Sequence, residues 1–465
     1  MEHNLAAPWG DGCSGPLTPF LSFSSPQSEN LLFERGAQID LHCRAALRSV
    51  ALRWTLHRNL LAKPFREGVA EALPGNRFRV RLATAGLHPG FYDLRVVLDT
   101  GAAGTGNTPL TRRPVNGVCT FGWQAAQMAV AETRPADFRA FWDRAKAALD
   151  KVALDAREEP LQTFTRAEID DYNVKSACLP PEFDPEGRRY ERVESGKVDF
   201  AGPDGGRVYG WLAKPEGRGP FPAMLVLPGA GFNARPRPLD HARHGYVALD
   251  IQVHGQPVDL PRYETLPGYY DQPVHEPVEA YYFHRVHLRC LQAVRYLASR
   301  PDVDPTRIVV VGGSQGGRLA FVVGALEPRV RAIVPAIANA PNQPYLRWAA
   351  RCNGYAHLGD PKRDPNLPLS DGMDVAGAPP LCDDAAARCM AYYDPLNFAP
   401  DVRCPVFANV GLIDPVSPPV SVCPTFARLG STDKTLVVLD GLGHDWSAEF
   451  DRLAYRWLDR VLAKP

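Results

Sequence analysis

Four β-branched residues in a row, Ile308-Val309-Val310-Val311, run into Gly312-Gly313-Ser314-Gln315-Gly316-Gly317, and an apolar stretch from Leu319 to Leu326 follows at once. A wholly β-branched run suits a strand covered on both faces, and a segment apolar nearly all round suits a buried helix. The order predicts strand, tight turn and helix at the centre of a parallel sheet. A serine on such a turn is pushed out beyond the sheet edge, and glycines are required around it because a Cβ there would strike the neighbouring backbone. Gly312-x-Ser314-x-Gly316 thus fits a nucleophile elbow, whereas the same pattern in a plain Gly-rich loop would leave the serine idle.

Strand and helix patterns alternate regularly around this element. Lys197 to Phe200 and Arg207 to Lys214 flank the turn signal Pro203-Asp204-Gly205-Gly206 and read as a hairpin. Ala223 to Leu227, Tyr246 to Ile251, a long helix from about Val278 to Ser299, Val330 to Ile337, Val406 to Val410 and Thr435 to Leu439 continue the series. A last amphipathic helix carries Phe450, Leu453, Ala454, Trp457, Leu458 and Leu462. The predicted fold class is α/β with a mostly parallel sheet. Residues 340 to about 395, rich in Pro, Asn, Asp and Gly, break the pattern and read as an insertion above the carboxyl edge of the sheet, a lid or pocket wall.

Upstream the period is two: Leu52, Trp54 and Leu56 alternate with polar residues, as do Phe78, Val80 and Leu82, and Tyr92, Leu94, Val96 and Leu98 follow. Leu87-x-Pro89-Gly90-x-Tyr92 has the form of the tyrosine corner of immunoglobulin-like sandwiches. The organisation expected is an irregular leader over 1–28, a small immunoglobulin-like β-sandwich over 29–118, and an α/β unit over 119–465. The sandwich reads as a spacer or assembly element, with residues from about 119 onward sufficient for action on a small substrate; carbohydrate binding is its functional alternative.

Composition narrows the partners. Lys+Arg and Asp+Glu both number 52, with no basic stripe, so nucleic acid and anionic membranes are not expected, and a neutral small molecule is. The 10 cysteines include no C-x-x-C, which argues against a zinc ribbon or thioredoxin-type site, although Cys352, Cys382 and Cys389 share one irregular region and could pair. His241 with His244, and His284 with His287, have a metal-like spacing but no third ligand, so no metal and no cofactor is expected. The chain shows no signal-peptide pattern and no membrane-span length, and reads as soluble, cytoplasmic by default or secreted if a signal has been removed.

A serine hydroxyl needs a base, and the base needs an anion to fix its tautomer. Asp414, in Gly411-Leu412-Ile413-Asp414, follows one predicted strand, and His444, in Gly441-Leu442-Gly443-His444, follows the next. Ser, Asp, His is the chain order of α/β-hydrolases. Asp440 and Asp445 are weaker acids for the role, one ending its strand too early and the other adjoining the histidine. The oxyanion donors expected are the backbone N–H groups of Gln315 and of Ala230, in Pro228-Gly229-Ala230-Gly231.

Arg300-Pro301-Asp302-Val303-Asp304-Pro305-Thr306-Arg307-Ile308 leading to the elbow, with Asp394-Pro395-Leu396-Asn397-Phe398-Ala399 and Cys404-Pro405-Val406, resembles the acetyl xylan esterase and cephalosporin C deacetylase family from about Pro135 to the C-terminus. The resemblance implies an α/β-hydrolase fold, with Ser314 as nucleophile, Asp414 as acid, His444 as base and Ala230 and Gln315 as oxyanion donors. The family's Arg-Gly-Gln appears as His254-Gly255-Gln256, which makes Gln256 a candidate substrate contact, and Arg289 stands where an acidic residue is common. The expected activity is a serine esterase that removes acetyl or other small acyl groups from carbohydrates or related alcohols. A serine peptidase of the same superfamily and a catalytically silent carbohydrate-binding protein are the alternatives, and homo-oligomerisation is left open.

Overall fold

The computed structural model describes residues 21–46, 51–99, 115–176, 189–269, 277–339, 341–352 and 385–463. A ten-stranded sheet forms the larger unit. From one edge its strands run Arg157–Glu158, Arg192–Ala201, Arg207–Pro215, Val247–Gln252, Phe221–Leu227, Val303–Gly313, Val330–Ala336, Val406–Gly411 and Lys434–Leu439, and Gln162–Thr165 also pairs with Arg192–Ala201. The hairpin is antiparallel, joining Ala201 to Arg207, and every pair from Val247–Gln252 onward is parallel.

Both faces of this sheet are covered, which is why its strands lack polar alternation. Leu225, Ile308 and Val310 face one core with helices Tyr282–Ser299 and Gln315–Leu326, while Met224, Val309 and Phe407 face another with helix Ala448–Ala463. Strand order reverses between Phe221–Leu227 and Val303–Gly313: successive strands are added outward on opposite sides of this pair. In open α/β sheets the crevice at the carboxyl ends of such a pair is where ligands bind.

The N-terminal strands form a four-stranded and a five-stranded sheet around a separate core that includes Leu52, Leu56, Phe78, Val80, Leu94 and Phe121. The Tyr92 hydroxyl donates to the His88 carbonyl at 2.7 Å, the bond expected of a tyrosine corner. The boundaries differ from those expected. Leu21–Ser24, inside the expected leader, pairs antiparallel with residues 42–45, and Val115–Trp123 runs through the expected junction at 118/119 as a single strand. Both were obscured by local composition: the first strand has only four residues beside Ser and Pro, and the second continues directly from a Gly/Thr/Pro-rich stretch.

The sandwich is joined to the larger unit by packing. Its core continues into the larger unit through Tyr345, Trp348 and Ala349 of helix Gln343–Cys352, and through Leu412 and Val420. The Tyr345 hydroxyl donates to the Asn59 carbonyl at 2.9 Å, and the Asp93 carboxylate accepts from Asn59 Nδ2, Thr120 Oγ1 and Leu60 N behind it. Helix Gln343–Cys352, at the start of the stretch read as a lid, is therefore part of this joint. Residues 353–384 of that stretch, and Cys382, lie outside the described residues. At its end, Asp394 accepts from Asn342 N, Gln343 N and Leu396 N, tying two short helices together; burial raises its carboxyl to about 6.

Candidate active site

The turn after Val303–Gly313 places Ser314 at φ 54°, ψ −117°, outside the comfortable regions for a residue with a Cβ. It is held there by bonds from both sides: Ser314 N donates to Ala336 O at 3.0 Å, and Ser314 O accepts from Asn339 N at 2.9 Å. The glycine requirement is steric. A Cβ on Gly316 would lie 2.2 Å from Leu227 O, and one on Gly312 would lie 2.6 Å from the Gly316 carbonyl carbon. Any side chain at either position would push the first helical turn away from the adjacent strand.

Two later loops meet this serine. Asp414 is buried, with Oδ1 accepting from Val416 N at 2.8 Å and Ser417 N at 2.7 Å, so one oxygen is fixed by its own loop. Its Oδ2 lies 2.9 Å from His444 Nδ1, and His444 Nε2 lies 3.0 Å from Ser314 Oγ. A carboxylate can only accept from imidazole Nδ1–H, which leaves Nε2 unprotonated toward the serine hydroxyl. The loops are in direct backbone contact: a Cβ on Gly411 would stand 2.3 Å from Leu442 O, and Leu412 N donates to Leu439 O at 3.0 Å. This connected arrangement can take a proton from a hydroxyl and stabilise the imidazolium that results.

The rival acids lie elsewhere. Asp440 is exposed just past its strand, and Asp445 Oδ1 accepts from Trp446 N at 2.8 Å. Gln315 opens helix Gln315–Leu326, where a backbone N–H has no partner within the helix, and Ala230 is exposed on the loop beside it. The two loops touch through Gln315 Nε2 and Gly229 O, 3.4 Å apart. Gln256 is not brought into this group: its Nε2 donates to Glu264 O at 2.8 Å, closing its own loop. The histidine pairs face aromatic rings, His244 stacking on Tyr455 and both His284 and His287 packing on Trp142. Arg289 Nη1 donates to Val253 O at 3.1 Å and Nη2 to Asp204 Oδ2 at 2.8 Å, bracing the turn that carries His254.

Sequence reasoning missed an aromatic group packed against the Pro228-Gly229-Ala230-Gly231 loop. Tyr269, His254, Tyr282 and Phe232 converge on Gly231 and Gln315 from separate stretches, and no spacing rule links them. The departure at His254-Gly255-Gln256 was the one available signal.

A parallel sheet with its serine turn at the reversal of strand order, followed in sequence by an aspartate loop and a histidine loop that converge on it, defines an α/β-hydrolase. Within that class the chain belongs to the acetyl xylan esterase (AXE1) family, whose model matches residues 159–461. It is 29% identical over 305 residues to acetyl esterase Axe7A of Xylanibacter ruminicola, covering 62% of this chain and 58% of that protein. The chain thus spans little more than half the length of that relative. A shorter match, 29% identical over 153 residues, joins 32% of this chain to 44% of thiohydrolase apmlB of Arthrinium phaeospermum. Among solved structures, the acetyl xylan esterase from Paenibacillus sp. R4 superposes with TM-score 0.54 at 23% identity, over 72% of this chain and 98% of that one. Acetyl xylan esterase 1 from Thermoanaerobacterium sp. gives TM-score 0.55 at 22% identity, over 72% and 97%. These likenesses confirm the fold.

Proposed function

We propose that the protein is a serine esterase that removes acetyl or other small acyl groups from a carbohydrate or related alcohol. The observation that carries this reading is the continuous Ser314–His444–Asp414 chain at the strand reversal, in a member of the acetyl xylan esterase family. Ser314 Oγ attacks the ester carbonyl as His444 Nε2 takes its proton, and the N–H groups of Ala230 and Gln315 receive the developing oxyanion. His444 then gives the proton to the departing alcohol, leaving an acyl-enzyme. Water activated by the same imidazole releases the acid and restores the serine. Substrate is expected to be a small-molecule or oligosaccharide ester. Among the described residues, no helix is long and apolar enough to cross a membrane.

The acid is tested by three variants. Asp414→Asn is expected to lower kcat on the order of 10³- to 10⁴-fold, since an amide cannot hold the productive tautomer. Asp440→Asn and Asp445→Asn are expected to stay within about threefold of the parent. A larger loss at Asp440 or Asp445 would move the acid elsewhere.

Acyl size is tested by kcat/KM on p-nitrophenyl acetate, butyrate and octanoate at one pH. Rings pack closely behind the Ala230 loop, with Phe232 and His254 centroids 4.1 Å apart and Tyr269 against both, and a methyl-sized acyl group is expected at a loop so backed. Each methylene that fits gains about 0.8 kcal/mol, whereas overpacking costs roughly 1–3 kcal/mol. Acetate should be preferred, and a profile rising with chain length would contradict this. Acetate release from acetylated saccharides, with no cleavage of peptides, separates the esterase from a peptidase and from a silent sugar binder.

A further inference from the structure

The segment that presents Ala230 is flanked by Gly229 and Gly231, the latter at φ 106°, so little in its own backbone fixes which way its peptides point. The restraint comes from a residue 38 positions later. Gly231 N donates to the Tyr269 hydroxyl at 2.9 Å, and that hydroxyl donates its single proton to Gln315 Oε1 at 2.6 Å. The other end of the Gln315 amide, Nε2, faces Gly229 O at 3.4 Å. The carbonyl of Gly231 is held as well, by His254 Nε2 at 3.2 Å.

The proton inventory closes around this group. Burial lowers the His254 imidazole to about 4, so it is neutral and carries one N–H. That proton belongs on Nε2, facing a carbonyl, and Nδ1 then accepts from the Tyr282 hydroxyl at 2.7 Å. Tyr269 itself is 5% exposed, edge-on to Phe232, His254 and Tyr282, so its hydroxyl has little freedom to turn elsewhere.

We infer that Tyr269 is a positioning residue for the oxyanion hole, its hydroxyl locking the Ala230 loop to the first turn of the nucleophile helix so that the N–H groups of Ala230 and Gln315 converge. The inference rests on the serine-esterase reading given above. Tyr269 need not touch substrate. It fixes the peptides on both sides of Ala230, one directly and one through the Gln315 side chain. Preorganised donors of this kind act mainly on the transition state, where the carbonyl oxygen carries charge, and little on ground-state binding.

The test uses the full chain with Tyr269→Phe, which keeps the ring and removes the hydroxyl. On p-nitrophenyl acetate, kcat should fall on the order of 10- to 100-fold with KM within about threefold. The inhibition constant of methylboronic acid, whose serine adduct places an oxygen in the hole, should rise by the same factor. Fluorophosphonate titration run to completion should count as many reactive serines as in the parent. Unchanged kcat/KM, an unchanged boronate constant, or a loss matched by missing titratable serine would overturn the inference. Gln315→Met, which removes the acceptor and keeps the backbone N–H, should give the same kcat-selective loss, and it decides the matter if Tyr269→Phe does not fold. Failure of the parent to react with fluorophosphonate, or activity surviving in Ser314→Ala, would instead defeat the esterase reading itself.

Discussion

Ser314→Ala is expected to lose ester hydrolysis by a factor on the order of 10³ or more while melting at the parent temperature. The two halves of this expectation have separate causes. Activity goes because His444 Nε2 loses the hydroxyl 3.0 Å away, and donors without a nucleophile cannot form an acyl-enzyme. Stability stays because alanine has the same Cβ as serine, so the strained backbone at φ 54° is no worse off, and the bonds to Ala336 and Asn339 are made by main-chain atoms. p-Nitrophenyl acetate turnover and a thermal melt check both. Retention of most activity in a variant with an unchanged melt would remove Ser314 from the role proposed for it.

Beginning the chain at Gln124 is expected to abolish activity on a small ester, though the sandwich contains none of the proposed catalytic side chains. Its removal uncovers Tyr345, Trp348, Leu412 and Val420, all buried, and Leu412 stands two residues before Asp414. The stripped loop keeps the bonds from Val416 N and Ser417 N to Asp414, but it loses the packing on Leu412 and Val420 that helps fix its place against His444. In the intact chain, Leu412→Ala should lower stability by about 2–5 kcal/mol through the cavity it leaves, and kcat with it. Denaturant melts and turnover of the shortened chain and of the Leu412 variant are the measurements. Full kcat from a well-folded 124–465 chain would show that the Asp414 loop keeps its shape alone.

Features carried by local pattern were legible in the sequence. The β-branched run with its glycines marked the elbow, strand ends located Asp414 and His444, and Pro89-Gly90-x-Tyr92 announced the corner at which Tyr92 bonds His88. What escaped depends on residues distant in sequence. Tyr345 meets Asn59 across 286 positions, from a stretch whose prolines and asparagines suggested an irregular insertion. Tyr269 reaches Gln315 across 46, from a loop without periodicity. Such contacts are chosen by packing once the elements have formed, and they leave no repeat behind. The first strand was missed for another reason: four residues at an edge give too short an alternation to stand out.

The joint between sandwich and sheet also divides the sandwich into regions where substitutions carry different costs. Around Asn59, Asp93 and Thr120 its surface is interior, shared with Tyr345 and, in the same core, with Leu412 of the Asp414 loop. At strand Pro64–Val69, on the edge of the five-stranded sheet, Phe65 and Val69 are exposed. Substitutions at the outer edge should cost the site little, whereas a change near Asn59 reaches Tyr345, which shares a core with Leu412. A domain that holds none of the proposed catalytic side chains is therefore tied to the proposed site along one border and independent of it along the other.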